Sequence, residues 1–258
     1  MTAHKDVQST LLDQLRTLRL PAIREGFAET ARRAAQETLS YEQYLLALTN
    51  QECDERRSRR IERMLRESRL PLDKTLSSFE LPRLPTKVSR QFRTLLEGCF
   101  LDRRENVLAF GNSGSGKTHL LCALGQELIR QHERTVYFSP CSLLVQDLLL
   151  GKRDLKLSRV LKRLSKFEVL IIDDIGYVQQ SREEMEVLFT LLAERYERGS
   201  VMLTSNLPFS KWETIFKDPL TTAAAIDRLV HHSVILEMNL PSYRLESAKQ
   251  AKGKTTEE

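Results

Sequence analysis

Eight consecutive residues, 111–118, have the types and the spacing of a phosphate-binding loop. They read Gly-Asn-Ser-Gly-Ser-Gly-Lys-Thr and fit the pattern G-x-x-x-x-G-K-[ST] at every position. Glycines let successive backbone N–H groups point at phosphate oxygens, Lys117 can reach the β- and γ-phosphates, and the Thr118 hydroxyl can bind Mg²⁺. We therefore predict ATP and Mg²⁺ as cofactors, bound by Gly111, Asn112, Ser113, Gly114, Ser115, Gly116, Lys117, Thr118 and His119.

Two adjacent carboxylates follow an apolar stretch later in the chain. The run Val-Leu-Ile-Ile at 169–172 reads as a buried strand and ends in Asp173 and Asp174. We predict that Asp173 holds Mg²⁺ together with Thr118, and that Asp174 polarises the water that attacks the γ-phosphate. The pair could instead cap the helix that follows, but two buried carboxylates without a cation would repel each other.

Alternating strand and helix patterns surround these residues and indicate the fold class. The phosphate-binding loop lies between a predicted strand at 106–110 and a predicted helix that begins at His119. Strands separated by helices imply a parallel sheet flanked by helices, so the chain is predicted to be an α/β protein. The other strands are predicted at 135–139, 167–173, 201–204 and 233–237.

The front of the chain has a different pattern, with helical periodicity and few strand signals. Leucines recur at helical spacing, Pro21 suits the first turn of a helix, and Ser40 begins a capping-box pattern. Prolines at 71, 82 and 85 interrupt the pattern. We therefore predict a helical N-terminal domain at 1–70, a linker at 71–86, a nucleotide-binding domain at 87–250 and a tail at 251–258.

Positive charge is concentrated in two windows, although the net charge is only +5. Residues 56–69 contain seven arginines and two glutamates, and residues 152–166 contain seven cations and one aspartate. Cations clustered on an acidic remainder are typical of a nucleic-acid partner, although both windows could be solvated helix faces. On one continuous helix, the cations of the second window would lie opposite its leucines.

Neither window interleaves aromatic or base-reading side chains with its cations. Contacts with DNA are therefore expected to involve phosphates and to be largely independent of base sequence. The candidate DNA contacts are Arg56, Arg60, Arg63, Lys152, Lys156, Arg159 and Arg163.

Composition excludes several other classes of protein. Hydrophobic residues make up 41% and charged residues 29%, which excludes a collagen-like or fully disordered chain. No apolar stretch reaches the ~18 residues of a membrane span, and no secretory signal is evident. The four cysteines are scattered without a Cys-x-x-Cys pair. A cytoplasmic protein without a membrane partner is therefore expected.

Four segments together closely resemble the IstB family, the ATPase helpers encoded beside the transposase in one family of bacterial insertion sequences. They are 111–119, Leu-Ile-Ile-Asp-Asp-Ile-Gly-Tyr at 170–177, Leu-Thr-Ser-Asn-Leu-Pro-Phe at 203–209, and Asp-Arg-Leu-Val-His-His at 227–232. Ser-Tyr-Arg at 242–244 continues the resemblance, which covers nearly the whole chain. Helicase loaders of the DnaC type and the initiator DnaA share the same AAA+ P-loop NTPase core.

The resemblance implies further site residues. Asn206 corresponds to the sensor-1 residue that orients the attacking water, and Arg228 to an arginine finger that reaches a neighbouring subunit's nucleotide. Arg244 corresponds to the sensor-2 arginine, although Leu-Pro at 240–241 departs from the family pattern. Asp174 stands where members often carry the longer Glu, which implies slow hydrolysis. His231 and His232 are expected to be packing and helix-end residues rather than ligands.

The resemblance also implies a bacterial, DNA-associated ATPase that forms a homo-oligomer on duplex DNA and assists a cognate transposase. A helicase loader that binds single-stranded DNA is the first alternative. A small-molecule P-loop kinase is the second, although it would leave the basic windows unexplained. The third is a DNA-coating protein that binds ATP without hydrolysing it.

Overall fold

The chain divides into two compact units, Met1–Arg63 and Met64–Glu258. The structure is a computed structural model that describes residues 2–176, 181–213 and 219–243. Within these residues, no helix combines the length and the apolar character that crossing a membrane requires.

Three helices make up the first unit. They are α1 (Thr2–Thr17), α2 (Pro21–Gln36) and α3 (Tyr41–Glu67), and α3 continues past the boundary of the unit. Because a buried aliphatic side chain contributes only about 2 kcal/mol, polar contacts matter in a unit with so small a core. The core cluster consists of Leu15, Ile23 and Leu48, with Leu20, Phe27 and Tyr44 packed against it.

A buried carboxylate connects α3 to the start of α2, and its arginine partner bonds to the turn between α1 and α2. Glu52 of α3 is 4% exposed, and its Oε2 accepts hydrogen bonds from the backbone N–H groups of Ala22 (2.8 Å) and Ile23 (3.2 Å). Arg56 donates to Glu52 Oε1 at 2.8 Å and to the Arg19 carbonyl at 2.7 Å. Burial by itself raises the pKa of Glu52, but the hydrogen bonds from Arg56 and the two amides outweigh it and lower the pKa.

The second unit contains a parallel sheet flanked by helices. In the described part of the chain the strand order is β2-β3-β4-β1-β5, and every neighbouring pair is parallel. This arrangement confirms the α/β fold class. The strands are β1 (Asn106–Phe110), β2 (Val136–Pro140), β3 (Val169–Ile175), β4 (Ser200–Ser205) and β5 (Ser233–Glu237). The helices are α4 (Thr86–Leu96), α5 (Lys117–His132), α6 (Cys141–Arg153), α7 (Leu157–Leu164), α8 (Arg182–Arg195) and α9 (Pro219–Val230).

The central strands are buried on both faces. Val107, Leu108 and Ala109 of β1 and the four residues 169–172 of β3 have no exposed surface. Apolar runs of this kind are typical of parallel strands that helices cover on both sides. Because the strands are parallel, their carboxyl ends share one edge of the sheet. The loop after β1, the acidic end of β3 and the end of β4 therefore lie beside one another.

A β-bulge interrupts the pairing of β3 with β4 at the acidic pair. Ile172 pairs with Leu203 and Ile175 pairs with Ser205, so β3 has one residue more than β4 in this interval. Asp174 lies within it and has a φ of 64°. Bulges near binding sites change the direction of a side chain, and here the bulge contains both carboxylates.

The segment predicted as a linker, 71–86, is part of the second unit, which begins at Met64 rather than after residue 70. The side chain of Gln126 on α5 donates hydrogen bonds to the carbonyls of Pro71 (3.1 Å) and Lys74 (3.0 Å). The start of this segment is therefore bonded to α5. A short 3-10 helix at Leu81–Arg83 and the start of α4 follow in the same segment.

Candidate nucleotide-binding site

The loop between β1 and α5 folds back on itself through glycines with positive φ. Gly114 and Gly116 have φ angles of 81° and 91°, and a Cβ atom on Gly114 would clash with Ser242 Oγ. The first turn of α5 receives no hydrogen bond from a capping side chain. Its N–H groups therefore remain directed at the loop, which is the arrangement that binds phosphate oxygens.

The ammonium group of Lys117 is held inside this loop. Lys117 is 6% exposed, and its Nζ donates to the carbonyls of Gly111 (2.8 Å) and Asn112 (2.9 Å). The buried hydroxyl of Ser115 has no hydrogen-bond partner within the described residues. A held cation and a buried polar atom with no partner both fit a phosphate group in the loop.

Asp173 connects the phosphate-binding loop to the sheet. Its Oδ1 accepts hydrogen bonds from Thr118 Oγ1 at 2.8 Å and from Thr204 Oγ1 at 2.7 Å. The hydroxyl and the carboxylate are the hard oxygen ligands that Mg²⁺ prefers. Burial, with a smaller effect from Asp173, raises the pKa of the nearby Cys122 thiol to about 12, so this thiol stays neutral at pH 7.

Thr204 also orients the second carboxylate, and sequence reasoning did not identify it. The backbone N–H of Asp174 donates to Thr204 Oγ1 at 2.7 Å, which secures the bulge. Asp174 is exposed and lines the cavity in front of the loop. In the sequence Thr204 stands at the end of a predicted strand and within the segment 203–209 that resembles the family. Neither signal identifies its hydrogen bonds, because bonding across strands depends on the sheet order.

The cavity has a volume of about 240 Å³ and extends well beyond the phosphate-binding loop. Among its other lining residues, Arg83 lies over the Tyr243 ring, 5.2 Å from the ring centroid, and the Tyr243 N–H donates to the Gly114 carbonyl at 3.0 Å. Mixed apolar and polar walls of this kind suit a nucleobase. Sequence reasoning missed this wall, which includes Phe79, Glu80, Arg83, Leu240 and Tyr243.

His119, predicted to contact the nucleotide, lines the cavity and connects α5 to the segment that precedes α4. Its Nε2 lies 2.9 Å from the Thr75 carbonyl and 3.2 Å from Ser78 Oγ, and its ring meets the edge of Phe79. The segment between Thr75 and Phe79 therefore lies against the cavity. The predicted linker contributes a wall to the site.

The residues assigned through the family resemblance lie in different places. Asn206 follows β4, is exposed and lines the cavity with Asp174. Arg228 of α9 is not part of the cavity wall; its guanidinium lies 4.7 Å from the Phe189 ring centroid and donates to the Ala224 carbonyl at 3.2 Å. Arg244 lies outside the described residues.

The basic window at 152–166 does not form one helix. It is divided between the end of α6 and α7, with a turn around Leu155, whose φ is 55°. The expectation of one continuous helical stripe was therefore wrong, because the chain turns at Leu155 instead of continuing as a helix. The two helices border an open groove of about 660 Å³, whose lining includes Lys156, Arg159, Lys162, Arg163 and Lys166.

The cations of both basic windows are mostly exposed, with weak local partners. Lys152 pairs with Glu186 at 3.0 Å, Lys156 with Asp154 at 3.6 Å, and Arg163 with Asp147 at 3.5 Å. Exposed pairs of this kind contribute about 0–1 kcal/mol, so phosphates can replace the carboxylates. In the first unit Arg60 and Arg63 are exposed on α3, whereas Arg56 is bonded to Glu52 and to the Arg19 carbonyl.

The sequence profile of IstB-like ATP binding proteins matches residues 13–251 of this chain. The chain belongs to this family. The match to IstB-like proteins includes both halves of the chain, so the helical first unit is part of the family's sequence as well.

Curated relatives of this IstB-like protein are named as ATP-binding proteins of insertion sequences. One from Sinorhizobium fredii is 43% identical over 239 residues, which cover 92% of this chain and 80% of the relative. One from Pseudomonas aeruginosa, named for insertion sequence IS21, is 40% identical and covers 84% of this chain and 82% of the relative.

Solved structures support the AAA+ P-loop fold of this IstB-like chain. The DnaC helicase loader aligns with a TM-score of 0.56 at 16% identity, over 64% of this chain and 97% of the loader. DnaA from Aquifex aeolicus aligns with a TM-score of 0.53 at 17% identity, over 72% of this chain and 56% of DnaA. At these identities the likeness concerns the fold.

Proposed function

We propose that this protein is an AAA+ ATPase that assembles with ATP on duplex DNA and assists the transposase of its insertion sequence in DNA transposition. One observation carries the proposal: the phosphate-binding loop, the acidic bulge and Asn206 meet at a single cavity. Its relatives' association with insertion sequences supports the choice of a transposase as partner. The alternative of a small-molecule kinase has no support from the family, whose members are named as ATP-binding proteins of insertion sequences.

The first step of the proposed reaction is binding of the triphosphate. Lys117 and the N–H groups at the start of α5 bind phosphate oxygens, and Ser115 supplies a further hydroxyl in the loop. Thr118 and Asp173 would hold Mg²⁺, and the ion would supply positive charge beside the β- and γ-phosphates. The wall that includes Phe79 and Tyr243 receives the base.

Asp174 is proposed to act as the general base on the attacking water. It lines the cavity from within the bulge, where its backbone N–H donates to Thr204 Oγ1. Asn206, on the same cavity wall, orients the water. A positioned base of this kind contributes about 10²–10⁴-fold to the rate. Arg244 keeps its sensor-2 assignment as part of the proposal.

Arg228 is proposed to act on the nucleotide of a neighbouring subunit. Within its own chain, Arg228 lies against Phe189 rather than on the cavity wall. This position is compatible with contact to the nucleotide of another subunit. An arginine finger contributes about 10³-fold or more to turnover.

Mixing subunits tests this role. Arg228→Ala subunits mixed with Lys117→Ala subunits should regain some turnover, because each variant lacks a different half of the shared site. Co-assembled mixtures without any regained turnover would contradict a finger that acts in trans.

The groove between α6 and α7 is the proposed duplex-binding surface of the second unit, and the exposed arginines Arg60 and Arg63 are separate candidate DNA contacts of the first unit. Two of the groove's cations, Lys156 and Arg163, pair with exposed carboxylates, so they can contact phosphates at little cost. Contacts with phosphates alone give binding that depends on salt rather than on base sequence.

The deciding experiment compares duplex and single-stranded DNA of the same sequence, with and without ATP. Binding, ATP turnover and electron micrographs of the assemblies should be measured on the same samples. The proposal expects ATP-dependent assembly on the duplex and ATP hydrolysis. A preference for the single strand would favour a helicase loader. The comparison with single-stranded DNA is included because DnaA, which shares the fold, has been solved with AMPPCP and single-stranded DNA. Assembly without any turnover would indicate a DNA-coating protein.

A further inference from the structure

Three potential metal ligands converge at the edge of the sheet opposite the nucleotide cavity. They are Glu197, two residues after α8, and the adjacent His231 and His232 between α9 and β5. One ligand atom from each lies within 4.8 Å of the other two. The strands β4 and β5 begin directly after these residues, whereas the phosphate-binding loop follows the carboxyl end of β1.

Both histidines directly follow the end of α9, as expected for helix-end residues, but both are exposed rather than packed. Their rings lie close together, with centroids 4.1 Å apart. Buried hydrogen bonds or core contacts therefore do not account for two adjacent imidazoles at this turn.

The backbone that carries the three ligands is held in place by hydrogen bonds. The His231 N–H donates to the Asp227 carbonyl at 2.9 Å, and the His232 carbonyl accepts from the Asn106 N–H at 2.7 Å. Glu197 follows the last turn of α8, where the Tyr196 N–H donates to the Leu192 carbonyl at 3.1 Å. A metal ion would therefore need to reorient side chains only.

A second contact orients the His231 ring. The Tyr196 hydroxyl lies 3.0 Å from His231 Nδ1, which leaves Nε2 as the ring nitrogen for a ligand. Metal-ligating histidines are commonly oriented in this way by a hydrogen bond to the other ring nitrogen.

We propose that Glu197, His231 and His232 form a binding site for a borderline divalent transition-metal ion, with Zn²⁺ as the reference. Two imidazoles and one carboxylate suit Zn²⁺, Co²⁺ or Ni²⁺, whereas Mg²⁺ prefers oxygen ligands alone. The site is thus chemically distinct from the Mg²⁺ site expected beside Asp173. Because all three residues are exposed, a fourth position is open to water or to a ligand from another molecule.

A bound ion would join the end of α8 to the turn between α9 and β5. That turn lies three residues after Arg228, so the ion would restrain the end of the helix that carries this arginine. The proposal itself concerns metal binding and does not depend on ATP hydrolysis or on DNA.

Zinc binding should be measured by calorimetry on the full-length chain without a histidine tag, in excess Mg²⁺. Cys53 and Cys99 are exposed thiols that could bind zinc, so the parent protein carries Cys53→Ser and Cys99→Ser. The ligand variants in this background are His231→Gln, His232→Gln and Glu197→Gln. The matched controls are His132→Gln, which can still donate to the Leu96 carbonyl, and Glu194→Gln on the same end of α8.

One Zn²⁺ per parent chain is expected. Each ligand variant should bind zinc at least about tenfold more weakly than the parent, and the controls should bind it with unchanged affinity. Zinc should also raise the unfolding temperature of the parent and the controls but not of the ligand variants. With Co²⁺, the parent should show the visible absorption of a tetrahedral site. A parent that binds no zinc, or ligand variants that bind as well as the parent, would overturn the proposal.

Discussion

The nucleotide cavity and the basic groove both depend on charged side chains, but they hold those charges in different ways. In the cavity Lys117 is buried and bonded to two carbonyls, and Asp173 accepts two hydroxyl hydrogen bonds. In the groove between α6 and α7, Lys156 and Arg163 are exposed and meet single carboxylates at 3.5–3.6 Å.

This difference predicts two kinds of response to substitution. A charge held by several short hydrogen bonds is positioned for one contact, so its loss is large and little affected by salt. An exposed charge is screened over about 8–10 Å at physiological salt, so each contributes little and several act additively. Variants in the two regions should therefore differ in size of effect and in salt dependence.

The largest effect is expected for Lys117→Ala. Removing a buried, hydrogen-bonded cation costs about 2–5 kcal/mol, which corresponds to ~30-fold or more in ATP affinity. Equilibrium binding of labelled ATP measures the change, which should persist at high salt. Lys74→Ala is the matched control, because Lys74 lines the same cavity and its ammonium only meets Asp73 at 3.9 Å. If both variants lose the same amount of ATP affinity, the buried position of Lys117 is not what makes it important for binding.

Asp174→Asn should affect turnover rather than binding. The substitution keeps the size of the side chain, and Asn tolerates the positive φ at this position, so the bulge should persist. ATP affinity and assembly should remain near normal, while kcat falls by about 10²-fold or more. Asp173→Asn is the comparison, because it should weaken Mg²⁺-dependent binding instead. An unchanged kcat in Asp174→Asn would contradict the general-base assignment.

Replacing Lys156, Arg159 and Arg163 together with alanine should weaken duplex binding without changing ATP affinity. Each lost phosphate contact lowers the slope of log affinity against log salt by ~0.9, so the triple variant should lose up to ~2.7. The matched control replaces Lys87, Arg90 and Arg93, three exposed cations of α4, and removes the same net charge. If both triple variants lose the same slope, the groove has no specific part in DNA binding.

The smallest effect is expected within the first basic window. Arg56→Ala removes the hydrogen bonds to Glu52 and to the Arg19 carbonyl, and should destabilise the helices of the first unit by about 1–3 kcal/mol. Arg63→Ala, at an exposed position, should change stability by no more than about 0.5 kcal/mol. Hydrogen exchange of the α2 amides in the full-length chain measures both. Equal protection in the two variants would contradict the structural role of Arg56.

The same measurement has an expected pH dependence. Because the folded pKa of Glu52 is lowered from 4.5, its stabilising contribution is complete above that value and is lost as the pH falls through the folded pKa. Glu52→Gln should remove this part of the pH dependence. If acid still reduces protection of the α2 amides to the same extent in Glu52→Gln, another group is responsible.

The fold and the phosphate end of the site were accessible from the sequence because their signals are local. The strands predicted at 106–110 and 233–237 are confirmed at the same bounds, and those near 135 and 167 are displaced by one or two residues. The other wall of the cavity was missed. Phe79 and Arg83 lie in a proline-containing segment that has the composition of a linker, and only contact with α5 and Tyr243 makes it a wall.

The composition of the two basic windows did not predict correctly which cations bond within the protein and how they are arranged. The cluster of seven arginines in one window made Arg56 a candidate DNA contact, yet Arg56 is bonded to the buried carboxylate of Glu52. A continuous helical stripe was expected for residues 152–166, but the chain turns at Leu155. Periodicity describes neighbours along a helix, whereas partners contributed by other helices and the position of a turn depend on packing.

The sequence by itself determined the phosphate-binding loop, the acidic strand end and the parallel α/β sheet, because each follows from backbone geometry and side-chain alternation over a few residues. Only the tertiary structure decided that Thr204 joins both aspartates, that Asp174 lines the cavity from within a bulge, and that Arg228 lies away from it. These relations arise between segments 30 or more residues apart. They depend on strand order and register, which hydrogen bonding and burial across the whole sheet determine together.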